Sequence, residues 1–99
     1  MEGRVSDDKY LIQSVMQALA VEEWLASQAL LEWKTLEQVS VAVMLIKDKV
    51  YRILKTLAAA GRVEEGDKGW RISPKLVLFA FRAIEYFKAE AGRFGLKEQ

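Results

Sequence analysis

The 99-residue chain contains no cysteine, no histidine and only one proline. Without cysteine it has no disulfide framework and no thiol nucleophile. Without histidine as well, it lacks the ligands of the common zinc sites and the base of a histidine-assisted nucleophile. It also lacks a phosphate-cradling glycine loop, a transmembrane-length apolar run and a signal-peptide core. We therefore expect a non-enzymatic, cytoplasmic protein that uses no metal or cofactor and does not bind membranes.

The composition is 52% hydrophobic and 29% charged, which is typical of one globular domain. The net charge is only +1, but its distribution is uneven. Residues 1–46 carry three cations and seven acids, whereas residues 47–71 carry seven cations and four acids. Such asymmetry can give a nearly neutral protein a local basic face. Taken alone, however, the charge distribution favours an ordinary solvated helix face.

Helical periodicity predicts a long first helix between Tyr10 and Leu31. Thr35 and Gln38 match a capping box, so a short second helix should begin at Leu36. The buried seam expected on the first helix consists of Leu11, Val15, Met16, Leu19, Trp24 and Leu25.

No glycine or proline separates the second helix from the third, in the segment QVSVAVMLIKDK. Its β-branched residues are mediocre helix formers, and the stretch 43–46 is apolar on all sides. We therefore predict a turn near Met44 that folds these side chains inward. Val41, Leu45 and Val50 should then point into one core.

A third helix is predicted from Lys47, and Gly61 suits the left-handed position that ends it. A hairpin should follow, with its turn between Gly66 and Gly69. Ser73 and Pro74 are a strong start signal for a last helix that runs to about Arg93. The core expected here consists of Val50, Ile53, Leu54 and Leu57 on the third helix and Val63, Trp70 and Ile72 on the hairpin.

The order of elements predicts a mainly α fold with a small β-hairpin wing, that is, a winged helix-turn-helix plus a C-terminal helix. We expect a flexible N-terminus (1–9), the winged helix-turn-helix (10–73), the C-terminal helix (74–94) and a flexible tail (95–99). The third helix would enter the DNA major groove, and the wing would approach phosphates beside it. The predicted DNA-binding residues are Lys47, Asp48, Lys49, Tyr51, Arg52, Lys55, Lys68 and Arg71.

Two aromatic residues in this region have alternative interpretations. Tyr51 could stack on a sugar or cover the core. Trp70 is better explained by packing of the wing on the body than as a ligand platform, because it alternates with Ile72.

The sequence resembles the N-terminal DNA-binding domain of the IclR family of bacterial transcription regulators over about residues 11–77. Met44 and Ile46 depart from the family pattern, where glycine and proline are usual, and Asp48 and Lys49 replace a pair of small hydroxyl residues. The matching residues are Gln13, Ser14, Val15, Ala18 and Leu19, then Thr35 and Leu36, then Lys47, Val50, Arg52, Leu54, Thr56, Leu57, Gly61 and Val63.

The resemblance implies a sequence-specific regulator of bacterial or phage type that binds double-stranded DNA. The 99 residues do not include the effector-binding domain typical of the family, so a chain of this extent is expected to have no small-molecule effector through such a sensor if it is complete. The alternative is a winged helix that binds proteins rather than DNA. Acids near the presumed DNA face favour that alternative: Asp48, Glu64, Glu65 and Asp67.

The last helix is more apolar than one side of a small domain can cover. Its stripe of Leu76, Phe79, Phe87 and Phe94 can pack on the body. The remaining apolar side chains of this helix predict a homodimer, in which a second copy would cover them. The competing prediction is a monomer in which the first helix shields both faces. The expected dimer interface is formed by Val77, Phe81, Ile84 and Tyr86.

Overall fold

The computed structural model describes residues 8–29 and 32–93. Phe94 and the predicted tail lie outside these ranges, as do residues 1–7. The chain is mainly helical with one antiparallel hairpin, which confirms the predicted fold class. After a 3-10 turn at Asp8–Tyr10, the elements are α1 (Gln13–Ala26), α2 (Leu36–Val43), α3 (Lys47–Ala59), β1 (Val63–Gly66), β2 (Gly69–Ile72) and α4 (Pro74–Arg93).

Helix α1 is shorter than the predicted span from Tyr10 to Leu31. The side chains of Ser27 and Gln28 both donate hydrogen bonds to the carbonyl oxygen of Trp24, at 2.7 and 3.1 Å. A continuing helix would offer that carbonyl to the backbone N–H of Gln28. The helix therefore ends here, because side-chain hydrogen bonds take the place of the backbone hydrogen bond that would continue it.

The face of α1 that enters the core also differs from the prediction. Val21 and Leu25 are buried, with Ala18 packed beside them. Of the predicted seam, Leu25 is in the core and Trp24 packs against it, which confirms the C-terminal part of the prediction. Helix α1 is apolar on most of its circumference, so periodicity alone selects the wrong stripe in its first half. The predicted seam residues that are instead exposed are Leu11, Val15, Met16 and Leu19.

The capping box at the start of α2 is confirmed. The N–H of Gln38 donates to Thr35 Oγ1 at 3.1 Å, and the N–H of Thr35 donates to Gln38 Oε1 at 2.8 Å. Helix α2 ends at Met44, whose backbone is left-handed with φ 60° and ψ 44°. Helices α2 and α3 are therefore separate, as predicted. The Ser40 hydroxyl donates to the Leu45 carbonyl and ties the turn to α2.

The turn does not fold all of its apolar side chains inward. Val43 and Leu45 are half-buried against the core, but Met44 is 87% exposed and Ile46 is 72% exposed. Val41 is also exposed, which corrects its predicted place in the core. It lies about 200° around the helix from the buried Val39, so an eight-residue helix cannot bury both.

Replacing Met44 with glycine should stabilise the protein. A left-handed conformation costs an L-residue roughly 1–2 kcal/mol, and glycine avoids this cost. Glycine also has a more flexible unfolded state, which offsets about 0.5–1 kcal/mol of the gain. Since the exposed side chain of Met44 loses no packing, we expect the free energy of unfolding to rise by about 0.5–1 kcal/mol in urea titrations. The matched control Ala42→Gly lies in the last turn of α2 and should destabilise by about 1 kcal/mol. A Met44→Gly variant as unstable as this control would contradict the expectation.

The core joins α1, α2, α3 and the hairpin. The predicted stripe of α3 is buried, and so are the three predicted inward residues of the hairpin. The buried cluster comprises Val21, Leu25, Val39, Val50, Ile53, Leu54, Leu57, Val63, Trp70 and Ile72.

The hairpin is held to the body by the segment before α2. Strands β1 and β2 pair from Val63 with Ile72 to Gly66 with Gly69. Lys34 extends this sheet, because its N–H donates to the Trp70 carbonyl at 2.8 Å and its carbonyl accepts from the Trp70 N–H at 2.7 Å. The wing is therefore bonded to the helix-turn-helix along β2 as well as at its base.

Helix α4 begins as predicted, with the N–H of Lys75 donating to Ser73 Oγ at 3.1 Å. Its first turn packs against the core through Leu76 and Val77, and Ala91 near its end is also buried. Val77 was predicted in a dimer interface, but here it is half-buried against the protein's own core. Phe79 and Phe87 were predicted to pack on the body, yet both are exposed, because the chain leaving β2 carries only the start of α4 over the core.

The remaining predicted interface residues of α4 are all exposed. They are Phe81, Ile84 and Tyr86. Since α1 also exposes apolar side chains, α1 does not shield α4 in the described structure.

Candidate nucleic-acid interface

Helix α3 presents polar side chains opposite its buried stripe. An α-helix has 3.6 residues per turn, so residues three or four positions apart lie on the same side of it. The residues that face the core are at positions 50, 53, 54 and 57. The side chains on the outer surface are Lys47, Asp48, Tyr51, Arg52 and Lys55, which are exposed, and Lys49, which is half-buried. The structure therefore brings together all six predicted DNA-binding residues of this helix.

The two predicted wing residues differ in their surroundings. Lys68 lies in the exposed turn between β1 and β2. Arg71 lies on β2, where its Nε is 2.7 Å from Glu64 Oε1 and its guanidinium lies 4.2 Å from the ring centre of Trp33. Packing therefore holds Arg71 in place, whereas Lys68 extends into solvent.

Most cations of this surface have carboxylate neighbours. Lys47 Nζ lies 3.7 Å from Glu37 on α2, and Arg52 lies 3.6 Å from Asp48 one turn earlier on α3. Lys55 Nζ lies 3.0 Å from Glu65 on β1. The Lys47 and Lys55 pairs link α3 to α2 and to β1, whereas the Arg52 pair lies within α3.

Two cations of this surface, Lys49 and Lys68, have no carboxylate oxygen of residues 8–29 or 32–93 within 4.0 Å. The surface as a whole is nearly neutral. Its six cations are Lys47, Lys49, Arg52, Lys55, Lys68 and Arg71, and its five acids are Glu37, Asp48, Glu64, Glu65 and Asp67.

The hydrogen bond from Lys55 to Glu65, and then their charge attraction, raise the pKa of Lys55 above its ordinary value. Lys55 therefore stays cationic well above neutral pH. The pairs on this surface are solvent-exposed, and such pairs contribute only about 0–1 kcal/mol each. A phosphate group can therefore compete with the carboxylates for the same cations.

Both alternatives for Tyr51 have structural support. Its ring meets Trp70 edge-on, with the ring centres 6.2 Å apart and the planes at 84°. It nevertheless remains 43% exposed, and Lys55 Nζ lies over the ring at 5.8 Å from its centre. Trp70 itself is buried, which confirms that it packs the wing on the body.

Several contacts of this region were missed by sequence reasoning. Glu37 reaches α3 from α2, and Trp33 lies against Gly66 and Arg71 of the wing. Arg62 pairs with Glu22 at 2.7 Å, a contact that raises the pKa of Arg62 through hydrogen bonding and charge. These partners are distant in sequence, so periodicity carried no signal for them.

An open groove of about 650 Å³ runs between α1 and α3. Apolar side chains form its floor, and the cations Lys49, Arg52 and Arg62 are at its edge. Within the described ranges, no three acidic side chains come together in a group that could hold a metal ion.

No protein-family model matches the chain, and no curated protein is significantly similar to it. The resemblance to the IclR family therefore stays a prediction. Among residues 8–29 and 32–93, no helix has both the length and the apolarity that crossing a bilayer requires.

Proposed function

We propose that this protein binds double-stranded DNA and regulates transcription, with α3 in the major groove and the wing beside it. The observation that supports this most strongly is the surface of α3. A separate helix follows a short capped helix and a tight turn, and outside its buried stripe it carries three exposed cations, Lys47, Arg52 and Lys55, and the half-buried Lys49. A single α-helix fits the major groove, and lysine and arginine are the residues that contact phosphates and guanine there.

The roles of individual residues follow from their chemistry. Arg52 is the best candidate to recognise a base, because a guanidinium can donate two hydrogen bonds to guanine. Lys47, Lys49, Lys55 and Lys68 are suited to phosphates, which they would contact as point charges.

The acids on the same surface should weaken the attraction between this surface and the phosphates of DNA. A phosphate that contacts Lys47, Arg52 or Lys55 must displace a carboxylate, whereas one that contacts Lys49 or Lys68 need not. We therefore expect few net ionic contacts and a shallow dependence of affinity on salt.

Arg52→Ala and Lys55→Ala should weaken DNA binding in different ways. If Arg52 contacts a base, its loss should cost about 1–3 kcal/mol on the preferred sequence and relax specificity. The Lys55 variant should weaken all sequences alike and reduce the salt slope by about one unit. A DNA selection followed by fluorescence anisotropy at two salt concentrations measures both effects.

The control for this experiment is Lys9→Ala, which removes an exposed cation that lies before α1 and should leave the specificity unchanged. Wild-type affinity of the Arg52/Lys55 double variant for every DNA tested would refute the assignment of α3.

A second candidate function is protein recognition, favoured by one observation. Val41, Met44 and Ile46 expose apolar side chains at the α2–α3 turn, beside cations that are already paired. Such a surface suits a protein partner better than a phosphate backbone. Absence of DNA binding by the wild type at low salt would favour this candidate.

We further propose that the protein acts as a homodimer in which α4 forms much of the interface. One recognition helix contacts only a few base pairs, and dimers gain affinity from half-sites about 10 base pairs apart or a multiple of that. The exposed aromatic side chains of α4 support this proposal.

A further inference from the structure

The open groove between α1 and α3 has the dimensions of a small-molecule site. Its volume of about 650 Å³ lies within the roughly 300–1,000 Å³ that is usual for such sites. The lining residues of α1 are at positions 14, 15, 18, 19 and 22, which lie within an arc of about 140° at about 100° per residue. Those of α3, between positions 49 and 57, lie within an equal arc. Each helix therefore turns one continuous side to the groove.

The floor of the groove is apolar and partly open to solvent. Val15 and Leu19 of α1 are each about half exposed, whereas Ile53 and Leu57 of α3 also belong to the core. A ligand with an apolar body could therefore bury Val15 and Leu19 without any change in the core.

One cation at the edge of the groove differs from the others in its surroundings. Arg62 lies 2.7 Å from Glu22, and Arg52 lies 3.6 Å from Asp48. Lys49 is half-buried, yet no carboxylate oxygen of residues 8–29 or 32–93 lies within 4.0 Å of its Nζ. Partial burial of an unpaired cation costs free energy, which an anionic ligand would offset.

We propose that this groove binds a small amphipathic anion, that is, a molecule with an apolar body and one carboxylate group. The apolar body would cover Val15 and Leu19. The carboxylate would accept hydrogen bonds from Lys49 and Arg52, which are three residues apart on α3 and can therefore contact the same group.

The two ends of the groove define how such a ligand would lie. Lys49 is in the first turn of α3, whereas Arg62 follows the end of that helix and is already paired with Glu22. The carboxylate should therefore lie at the Lys49 end. From Lys49 to Leu57 the groove follows eight residues of α3, roughly 12 Å, so an elongated apolar body suits it.

A second groove of the molecule lacks this charge arrangement. It has a volume of about 640 Å³ and is lined by Trp24 and Val41 among others. Its cation, Lys34, lies 3.4 Å from Glu32, and Glu37 also lines the groove. These acids would repel a carboxylate, so the groove between α1 and α3 is the one that suits the ligand.

The proposed ligand site shares Lys49 and Arg52 with the surface proposed to bind DNA. A bound carboxylate would occupy both cations and would therefore compete with DNA. That consequence rests on the proposed function, whereas binding of the ligand does not. The experiment contains no DNA, so its result is independent of whether α3 binds DNA.

The probe is octanoate below its micelle concentration, with octanol as the uncharged counterpart. Isothermal titration calorimetry measures the binding, and NMR shifts of the backbone amides locate it. Octanoate should bind the wild type about tenfold more tightly than octanol does, because octanol forms no ion pair. The shifts should concentrate at residues 14–22 and 49–57.

Two variants test the charge and the floor separately, and circular dichroism checks that each is folded. Lys49→Gln should weaken octanoate binding about tenfold and leave octanol binding unchanged, so the preference for the anion is lost. Leu19→Glu should abolish the binding of both probes, because it places a carboxylate on the apolar floor. The control Lys68→Gln removes an exposed cation that also lacks a carboxylate neighbour and should change neither affinity.

Three results would overturn the proposal. They are no binding of octanoate by the wild type, equal binding by the wild type and Lys49→Gln, and shifts confined to the second groove around Trp24 and Val41. A wild type that ignores octanoate but forms a dimer that Leu19→Glu abolishes, measured by sedimentation equilibrium, would assign the groove to a second copy of the chain instead.

Discussion

Gly69→Ala should lower the free energy of unfolding by about 3–5 kcal/mol, the sum of strain at a glycine-only backbone conformation and of lost hydrogen bonds. Gly69 has φ +127°, which L-residues rarely adopt. An added Cβ would collide with the Lys34 carbonyl oxygen and lie 2.7 Å from the carbonyl carbon. That carbonyl accepts the hydrogen bond from Trp70, so relief of the clash breaks the link between the wing and the body.

Gly61→Ala is the matched control for this prediction. Gly61 also has a positive φ of +79°, but nothing lies within 4 Å of an added Cβ. This variant should cost only the backbone strain, roughly 1–2 kcal/mol. Urea titrations followed by tryptophan fluorescence measure both variants, because the buried Trp70 reports on the wing. Equal losses in the two variants would show that the Lys34–Trp70 link contributes little.

Leu54→Ala should destabilise the protein by about 2–5 kcal/mol through lost burial and a residual cavity. Leu54 is fully buried at the middle of α3, within the cluster that joins all three core helices to the hairpin. In a domain of this size, each kcal/mol lowers the melting temperature by about 4–8 °C. Calorimetry at a fixed protein concentration is needed, because a dimer makes that temperature depend on concentration.

The control for Leu54→Ala is Val41→Ala on the exposed side of α2, where we expect a change within about 0.5 kcal/mol. A Leu54 variant as stable as this control would mean that α3 does not anchor the core.

Local signals in the sequence were sufficient to predict most of the fold. The capping box at Thr35, the glycine stop at Gly61 and the start at Ser73–Pro74 each depend on residues a few positions apart. The stripe of α3 was equally clear, because its other side is strongly polar. The turn at Met44 was predicted without a glycine to mark it, from the poor fit of residues 43–46 to a surface helix.

Helix α1 and the end of α4 show what local signals could not predict. Both helices are apolar on more than one side, and periodicity does not say which side enters the core. The choice depends on how the chain leaves β2 and on what else is available to cover Leu19 or Phe87. That information is three-dimensional.

The candidate DNA surface could be predicted as a set of residues but not as an electrostatic surface. The spacing of Lys47, Arg52 and Lys55 put them outside the core correctly. Their neutralisation depends on Glu37 and Glu65, which arrive from α2 and β1. The sequence contains these acids, but their positions along it do not indicate which cations they contact.

The link between Lys34 and Trp70 has a consequence for aggregation. A two-stranded hairpin normally offers two open edges to which strands of other molecules can add. Here the outer edge of β2 is already hydrogen-bonded to Lys34. In the described structure, the outer edge of β1 is therefore the one that has no paired strand. That edge is four residues long and carries Glu64 and Glu65. Short, charged edges resist strand addition, so a wing that extends towards a partner does not recruit unrelated β-strands.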